Sequence, residues 1–327
     1  MDSLDLQVLQ QARAWAAQGH RVWLVTVIET WGSAPRPAGA LLAMRGDGLV
    51  VGSVSGGCVE DDLIDRVRQG ERVGRPTLIT YGVTKDEAAR FGLPCGGNLR
   101  LVQEPLIDTG WVDVVLDRTT RHEIVARVVD LETGAVTLEP GSRGEAFEFN
   151  GRTMRALFGP RWRLLIVGAG QLSRAVAQTA LMLDFEVICC DPREEYHLTW
   201  DIPGTTFSKA MPDDLVQALE LDAHSAVVAV THDPKLDDLV LLEALKSPAF
   251  YVGALGSRGN TAKRKERLKL FELTQAEIDR LHGPIGLDLG SKTPAEIAVS
   301  ILAEVIAVRS GTALLQKKAG SSVPSLS

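Results

Sequence analysis

Residues 163–173 read Arg163-Leu164-Leu165-Ile166-Val167-Gly168-Ala169-Gly170-Gln171-Leu172-Ser173. An apolar run enters a G-x-G turn and a helix opens behind it. The first glycine permits the tight turn, and the second lets backbone N–H groups approach a pyrophosphate at the helix N-terminus. The third position ordinarily holds Gly or Ala so that helix and strand pack closely, and Ser173 departs from that pattern. Asp191 closes the next apolar run, Glu186–Cys190, where an acidic residue grips a ribose diol.

Strands are expected at Leu164–Val167, Glu186–Cys190, Ala226–Val230 and Phe250–Val252, with helices between them and a last helix from Pro294 to about Arg309. Such alternation predicts a Rossmann-like, doubly wound parallel sheet over residues 161–310, with a disordered tail at 311–327. Two loops fall at expected C-terminal strand ends, where ligands bind in such sheets. Thr231-His232-Asp233-Pro234 reads either as a helix cap, with Asp233 as N-cap and Pro234 behind it, or as a mount for His232 in ligand binding or proton transfer. Gly253–Asn260 (GALGSRGN) offers Ser257 and Arg258 at a helix start as an anion site. Thr293-Pro294-Ala295-Glu296 is a capping box, and the Gly/Pro-rich stretch 282–290 before it suggests a loop folded tightly against something.

The first part of the chain is expected to be an α+β domain over residues 1–118. A helix is read at Leu4–Ala17, strands at Arg21–Thr30, Ala40–Met44, Gly48–Val51, Thr77–Tyr81 and Leu99–Glu104, and a helix from Cys58 to about Gln69. Residues 119–160 read as a β-hairpin, Glu123–Asp130 with Ala135–Glu139, followed by a turn-rich connection. Three glycine loops stand out, at 32–39, 55–58 and 95–98. Two of them set a cysteine beside a glycine pair, Gly56-Gly57-Cys58 and Cys95-Gly96-Gly97. Each cysteine is open to two readings, a small buried packing residue or a reactive thiol. Cys189 and Cys190, adjacent on a strand and pointing to opposite faces, read as core.

The bulk properties narrow the classes. A length of 327 residues suits about two domains, and a net charge of −7 gives no global footprint for nucleic acid or anionic lipid. No run of about 18 apolar residues is present, so no membrane span is expected, and the start MDSLDLQVLQQ lacks the regions of a secretory signal. Four scattered cysteines do not make a disulfide scaffold. A cytoplasmic protein is expected. There is no zinc spacing, no G-x-S-x-G elbow and no GKS/T phosphate loop.

GSAPRPAGA (32–40), GSVSGGCVE (52–60) and CGGNLRLVQEP (95–105) resemble the N-terminal signatures of the XdhC/CoxI family of xanthine dehydrogenase accessory proteins. LLIVGAG (164–170), DPR (191–193), THD (231–233), LGSR (255–258) and PIGLDLGSKTPAEIA (284–298) are similar to that family's Rossmann domain. The resemblance runs in order over roughly residues 5 to 310. It implies a maturation factor rather than a turnover enzyme, one that binds the molybdenum cofactor (molybdopterin or its dinucleotide form) and protects it during sulfuration. Delivery to a xanthine dehydrogenase-type molybdenum hydroxylase follows. A cysteine desulfurase-type sulfurtransferase as partner and a homodimer are implied too, with neither nucleic acid nor membrane. Carried over by position, the family's glycine loops fall on Gly56, Gly57, Cys58, Cys95, Gly96 and Gly97 and its Rossmann loop on Gly168 and Gly170; Arg36 and Ser55 join the cofactor-binding candidates of the first half. Gly168, Gly170, Gln171, Asp191, Arg193, Ser257 and Arg258 are the candidates in the second half. Candidates for chemistry are Cys58, Cys95 and His232, with Cys58 as a soft ligand for molybdenum. The N–H groups of Gly56-Gly57-Cys58 at a helix start would suit a phosphate. Two alternatives remain open, an NAD(P)-dependent oxidoreductase and a nucleotide-gated sensor, both using the Rossmann half.

Overall fold

The computed structural model describes residues 3–30, 36–70, 74–82, 98–142, 145–231, 233–271 and 273–312. Residues 31–35 of the first glycine loop, all but Asn98 of the loop at 95–98, His232 and most of the expected tail lie outside the described residues. The chain divides into two compact units, Met1–Pro160 and Arg161–Ser327.

The N-terminal unit is built on β1 (Val22–Thr30), nearly all of it buried. Such a run is apolar at successive positions because both faces of the strand are covered. Val22 and Leu24 pack with helix α1 (Ser3–Ala17), whereas Trp23, Val25 and Val27 pack with helix α2 (Cys58–Arg68) on the opposite face. β2 (Leu41–Arg45), β3 (Val50–Gly52), β4 (Thr77–Tyr81) and β5 (Leu99–Pro105) complete an antiparallel sheet in the order β3-β2-β1-β5-β4.

Helix α3 (Gly110–Thr120) follows, an element that the sequence pattern does not predict. The segment expected as a hairpin and a connection carries four strands: β6 (Val125–Asp130), β7 (Val136–Pro140), β8 (Glu148–Phe149) and β9 (Thr153–Phe158). They form a second antiparallel sheet, β7-β6-β9-β8, whose Val125, Ala156 and Phe158 share a core with α1 and α3. β9 alternates half-buried and buried residues along TMRALF. Arg127 on β6 joins the two sheets: its guanidinium donates to both carboxylate oxygens of Glu104 on β5, at 2.8 and 2.7 Å. Both side chains are buried, and the guanidinium lies 3.9 Å from the Trp111 ring centroid.

In the C-terminal unit β10 (Arg163–Val167), β11 (Glu186–Cys190), β12 (Thr205–Ser208), β13 (Ser225–Ala229), β14 (Tyr251–Ala254) and β15 (Leu281–His282) pair in parallel. Their order is β12-β11-β10-β13-β14-β15, which is the 3-2-1-4-5-6 arrangement of a Rossmann domain. β12 and β15 are additions to the strands expected from sequence; they are short edge strands of four and two residues. Helices α4 (Gln171–Met182) and α10 (Pro294–Arg309) cover one face. Helices α6 (Pro212–Leu219), α7 (Pro234–Ala244), α8 (Arg258–Lys269) and α9 (Gln275–Asp279) cover the other, and the short α5 (Glu194–Thr199) follows β11. The strand order reverses between β10 and β13, so a crevice opens above their C-terminal ends.

The Glu104–Arg127 pair supplies a stability test. Glu104→Leu alone strands a buried guanidinium and is expected to cost about 3–5 kcal/mol. Glu104→Leu combined with Arg127→Met should recover most of that loss in urea denaturation. A double variant as unstable as the single one would place the value of the pair elsewhere.

Candidate functional site

The glycine loop before α2 is folded around one of its own side chains. Glu60, in the first turn of α2, is 9% exposed. Its Oε1 accepts from the Ser53 hydroxyl at 2.9 Å and from the amides of Val54, Ser55 and Gly56 at 2.9, 2.8 and 3.0 Å. Its Oε2 accepts from the Gly57 amide at 2.8 Å and from the Ser55 hydroxyl. Gly56, with φ of 94°, supplies the left-handed bend that turns successive amides inward. The sequence pattern offers these N–H groups to a phosphate. In the structure the Gly56 and Gly57 amides are already spent on Glu60, so of the three expected N–H groups these two are not left for a phosphate.

Burial pushes the Glu60 carboxyl up, but the Ser55 hydroxyl and the amides of Gly56, Ser55 and Gly57 outweigh it and hold the pKa at about 2. Beside this closed loop Cys58 opens the helix with its thiol exposed. The packing alternative is thereby removed for Cys58. Cys189 and Cys190 are buried, as their strand positions predict, and burial pushes both thiols up, that of Cys190 to about 12. Arg36 stands 3.9 Å from Asp5 of α1. Cys95, Gly96 and Gly97 lie outside the described residues.

The crevice of the C-terminal unit gathers a second set of candidates. Gly170, Gln171 and Arg193 line one cavity of about 370 Å³ together with Tyr196, Thr231 and Lys292. Gly168 has φ of 106°, and a Cβ there would lie 2.9 Å from the Thr231 Cα, so only glycine fits. Gly170 caps α4 at φ −79°, a conformation open to any residue, and a Cβ there would meet nothing within 4 Å. What glycine gives at that position is room over the helix start. Ser173 is buried, and its hydroxyl has no hydrogen-bond partner among the described residues.

Asp191 does not stand free for a ribose. It is fully buried. Oδ1 accepts from the amide and Nε of Arg193 at 3.1 and 2.8 Å, and Oδ2 from the Ala169 amide and Arg193 Nη2 at 3.0 and 2.7 Å. The expected diol-gripping acid is instead the clasp of the glycine turn. Arg193 in turn lies 4.1 Å from the Tyr196 ring centroid.

Behind the crevice Asp237 of α7 accepts from the Thr231 amide and hydroxyl at 3.2 and 2.8 Å and from Arg264 Nη2 at 2.9 Å. Burial pushes its carboxyl up against the lowering pull of Thr231 and Arg264. Arg264 also donates to the Leu255 carbonyl, tying the loops after β13 and β14 together. Asp233 caps α7, the capping half of the reading for that loop, while His232 lies outside the described residues. Ser257 and Arg258 are not brought into the cavity: Ser257 caps α8, and the exposed Arg258 lies 3.9 Å from Asp288. The glycine stretch 282–290 is indeed held tightly. Glu304 of α10 accepts from the Gly286 amide at 2.6 Å and the Tyr251 hydroxyl at 2.7 Å, with His282 Nδ1 at 3.3 Å.

Sequence reasoning misses Glu60, Tyr196 and Lys292. A signal for Glu60 is present, an acid three residues after Gly57, where a carboxylate reaches back to the N-cap amide as in the returning half of a capping box. Among the described residues no cluster of three or more His, Cys, Asp or Glu could hold a metal ion, and no helix is long and apolar enough to cross a membrane.

Two family models match the chain: the XdhC Rossmann domain over residues 164–305 and the XdhC and CoxI family over residues 15–82. The chain is 28% identical over 288 residues to the molybdenum cofactor insertion chaperone PaoD of Escherichia coli K12, covering 88% of this chain and 83% of that one. It is 27% identical over 322 residues to a probable xanthine dehydrogenase subunit of Bacillus subtilis 168, covering 89% and 94%. With YqeB of Escherichia coli K12 it shares 26% over 288 residues, covering 88% of this chain and 43% of that relative, so it spans less than half of YqeB. The crystal structure of a xanthine dehydrogenase from Bacillus halodurans has the same fold, with a TM-score of 0.72 at 24% identity, covering 96% of this chain and 97% of that one.

Two measurements check the loop. Glu60 has a folded-state pKa below its unfolded value, so its stabilisation is complete above about pH 4.5 and is lost as pH falls toward 2. Wild type is expected to exceed Glu60→Gln by about 2–3 kcal/mol at pH 7, in urea melts, with the gap closing below pH 4. A gap independent of pH would mean that the carboxylate charge is not what the loop holds. Alkylation of the native protein, mapped by mass spectrometry, should modify Cys58 and spare Cys189 and Cys190 until the chain unfolds. Labelling of all three at equal rates would contradict the burial described.

Proposed function

This chain belongs to the XdhC/CoxI family, and from that membership we propose that it is an accessory chaperone of molybdoenzyme maturation. In this reading it binds the molybdenum cofactor, shields it while a sulfurtransferase of the cysteine desulfurase type completes it, and inserts it into a xanthine dehydrogenase-type hydroxylase. It acts as a homodimer in the cytoplasm. The observation that supports the reading most is the likeness to PaoD, which spans both halves of this chain.

The chemistry of the N-terminal unit allows one specific role. An exposed thiol at a helix start is a soft donor suited to molybdenum. Because the neighbouring amides are spent on Glu60, the thiol rather than the loop backbone is the group this loop offers to cargo. The Rossmann crevice is then a separate ligand site that modulates binding of the hydroxylase or the sulfurtransferase.

Protein purified from a host that makes the cofactor is expected to carry molybdenum and a pterin, found by metal analysis and mass spectrometry. Mixed with an apo-hydroxylase, it should restore hydroxylase activity. Cys58→Ser should keep the wild-type melting temperature, since the thiol is exposed, and lower cofactor retention several-fold. Activation by the variant equal to wild type would deny Cys58 any part in holding cargo.

A further inference from the structure

We infer that the crevice of the C-terminal unit selects a nucleotide carrying a phosphate on its ribose over one with a free ribose diol. The inference rests on the reading of that crevice as a ligand site and goes on to name the chemistry the site takes.

A ribose diol is held by donating its hydroxyls to a carboxylate at the end of the second strand. Here that carboxylate is Asp191, and it has nothing left to accept with. A carboxylate carries about four lone-pair sites, and those of Asp191 are met by the Ala169 amide, the Arg193 amide, and Nε and Nη2 of Arg193. The group is also fully buried, so a ligand reaches it only by displacing the Arg193 side chain or the Ala169 amide from it.

What the same wall does present is donors. Arg193 spends Nε and Nη2 on Asp191 but lines the cavity, with its side chain 30% exposed. Its plane is held by Asp191 on its edge and by the Tyr196 ring at 4.1 Å. Lys292 lines the same cavity and makes no ion pair among the described residues; the carboxylate of Glu296 is drawn instead to the amides of Lys292 and Thr293. A wall that offers guanidinium and ammonium donors, and whose acid is fully engaged, matches a group that only accepts and carries charge. A phosphomonoester on the ribose is such a group, whereas a diol would leave its own hydrogens unmet.

The test is calorimetric titration of the full chain with two matched pairs, NADP⁺ against NAD⁺ and 2′,5′-ADP against 5′-AMP, with inorganic phosphate as a further arm. NADP⁺ and 2′,5′-ADP are expected to bind at least tenfold more tightly than their partners, and phosphate alone more weakly than 2′,5′-ADP. Lys292→Gln, a change at a loop position outside the core, is expected to weaken NADP⁺ about fivefold and leave NAD⁺ unchanged. Arg193→Gln should abolish the preference. Equal or tighter binding of NAD⁺, absence of binding by either dinucleotide, or a preference untouched by Lys292→Gln would overturn the inference. Phosphate binding as tightly as 2′,5′-ADP would overturn its nucleotide part. No NAD⁺ or NADP⁺ is added to the hydroxylase reconstitution, so its outcome stands apart from this one.

Discussion

A carboxylate taken out of water must have its lone pairs met by donors, or its burial costs more than a domain can spare. That constraint organises the loops of this protein. Glu60 draws in the amides of residues 54–57. Asp191 clasps the turn at Ala169, Asp237 holds Thr231, and Glu304 holds Gly286. In each of these glycine-rich or turn-rich motifs the backbone is wrapped around an acid from the chain itself. The glycines are needed because backbone amides can converge on one point only where φ is free or side chains are absent.

The consequence for function is a division between loops that are closed and surfaces that remain open. The loop before α2 is closed, yet it carries an exposed thiol on its rim. The turn after β10 is closed on Asp191, yet Gly170 leaves room above the helix and Arg193 and Lys292 line the space. In the first loop the amides of residues 54–57 are spent on Glu60, while in the second the donors come from side chains outside the clasp. The two units therefore offer different chemistry, a soft sulfur in one and cationic donors in the other.

Much of the fold is legible because its signals are local. The strand periodicity and the G-x-G turn place β10, β11, β13 and β14 within a few residues, and both-sided burial explains the unbroken apolar run of β1. Helix α3 is not legible: Trp111, Val112, Val115 and Leu116 have helical spacing, but Thr119 and Thr120 close a segment short of strong helix formers. β12 and β15 are too short to carry a period. At the site, the positions of Gly168, Gly170 and Asp191 can be read, but the role of Asp191 cannot. Whether Arg193 turns back onto the acid two residues earlier or outward to solvent is a matter of rotamer and burial, which sequence spacing does not contain. The same holds for Glu60, whose capping-box position is visible while its six donors are not.

In the role proposed for Cys58, Glu60 has one more implication, for what happens at the thiol on encounter. A loop of glycines and serines in water samples many conformations, and a thiol riding on it would be found by a partner only part of the time. Six donors gathered on one carboxylate remove that freedom during folding rather than during docking. Whatever approaches meets sulfur at a fixed address, so the geometry of approach, not the ordering of the loop, sets how readily contact is made.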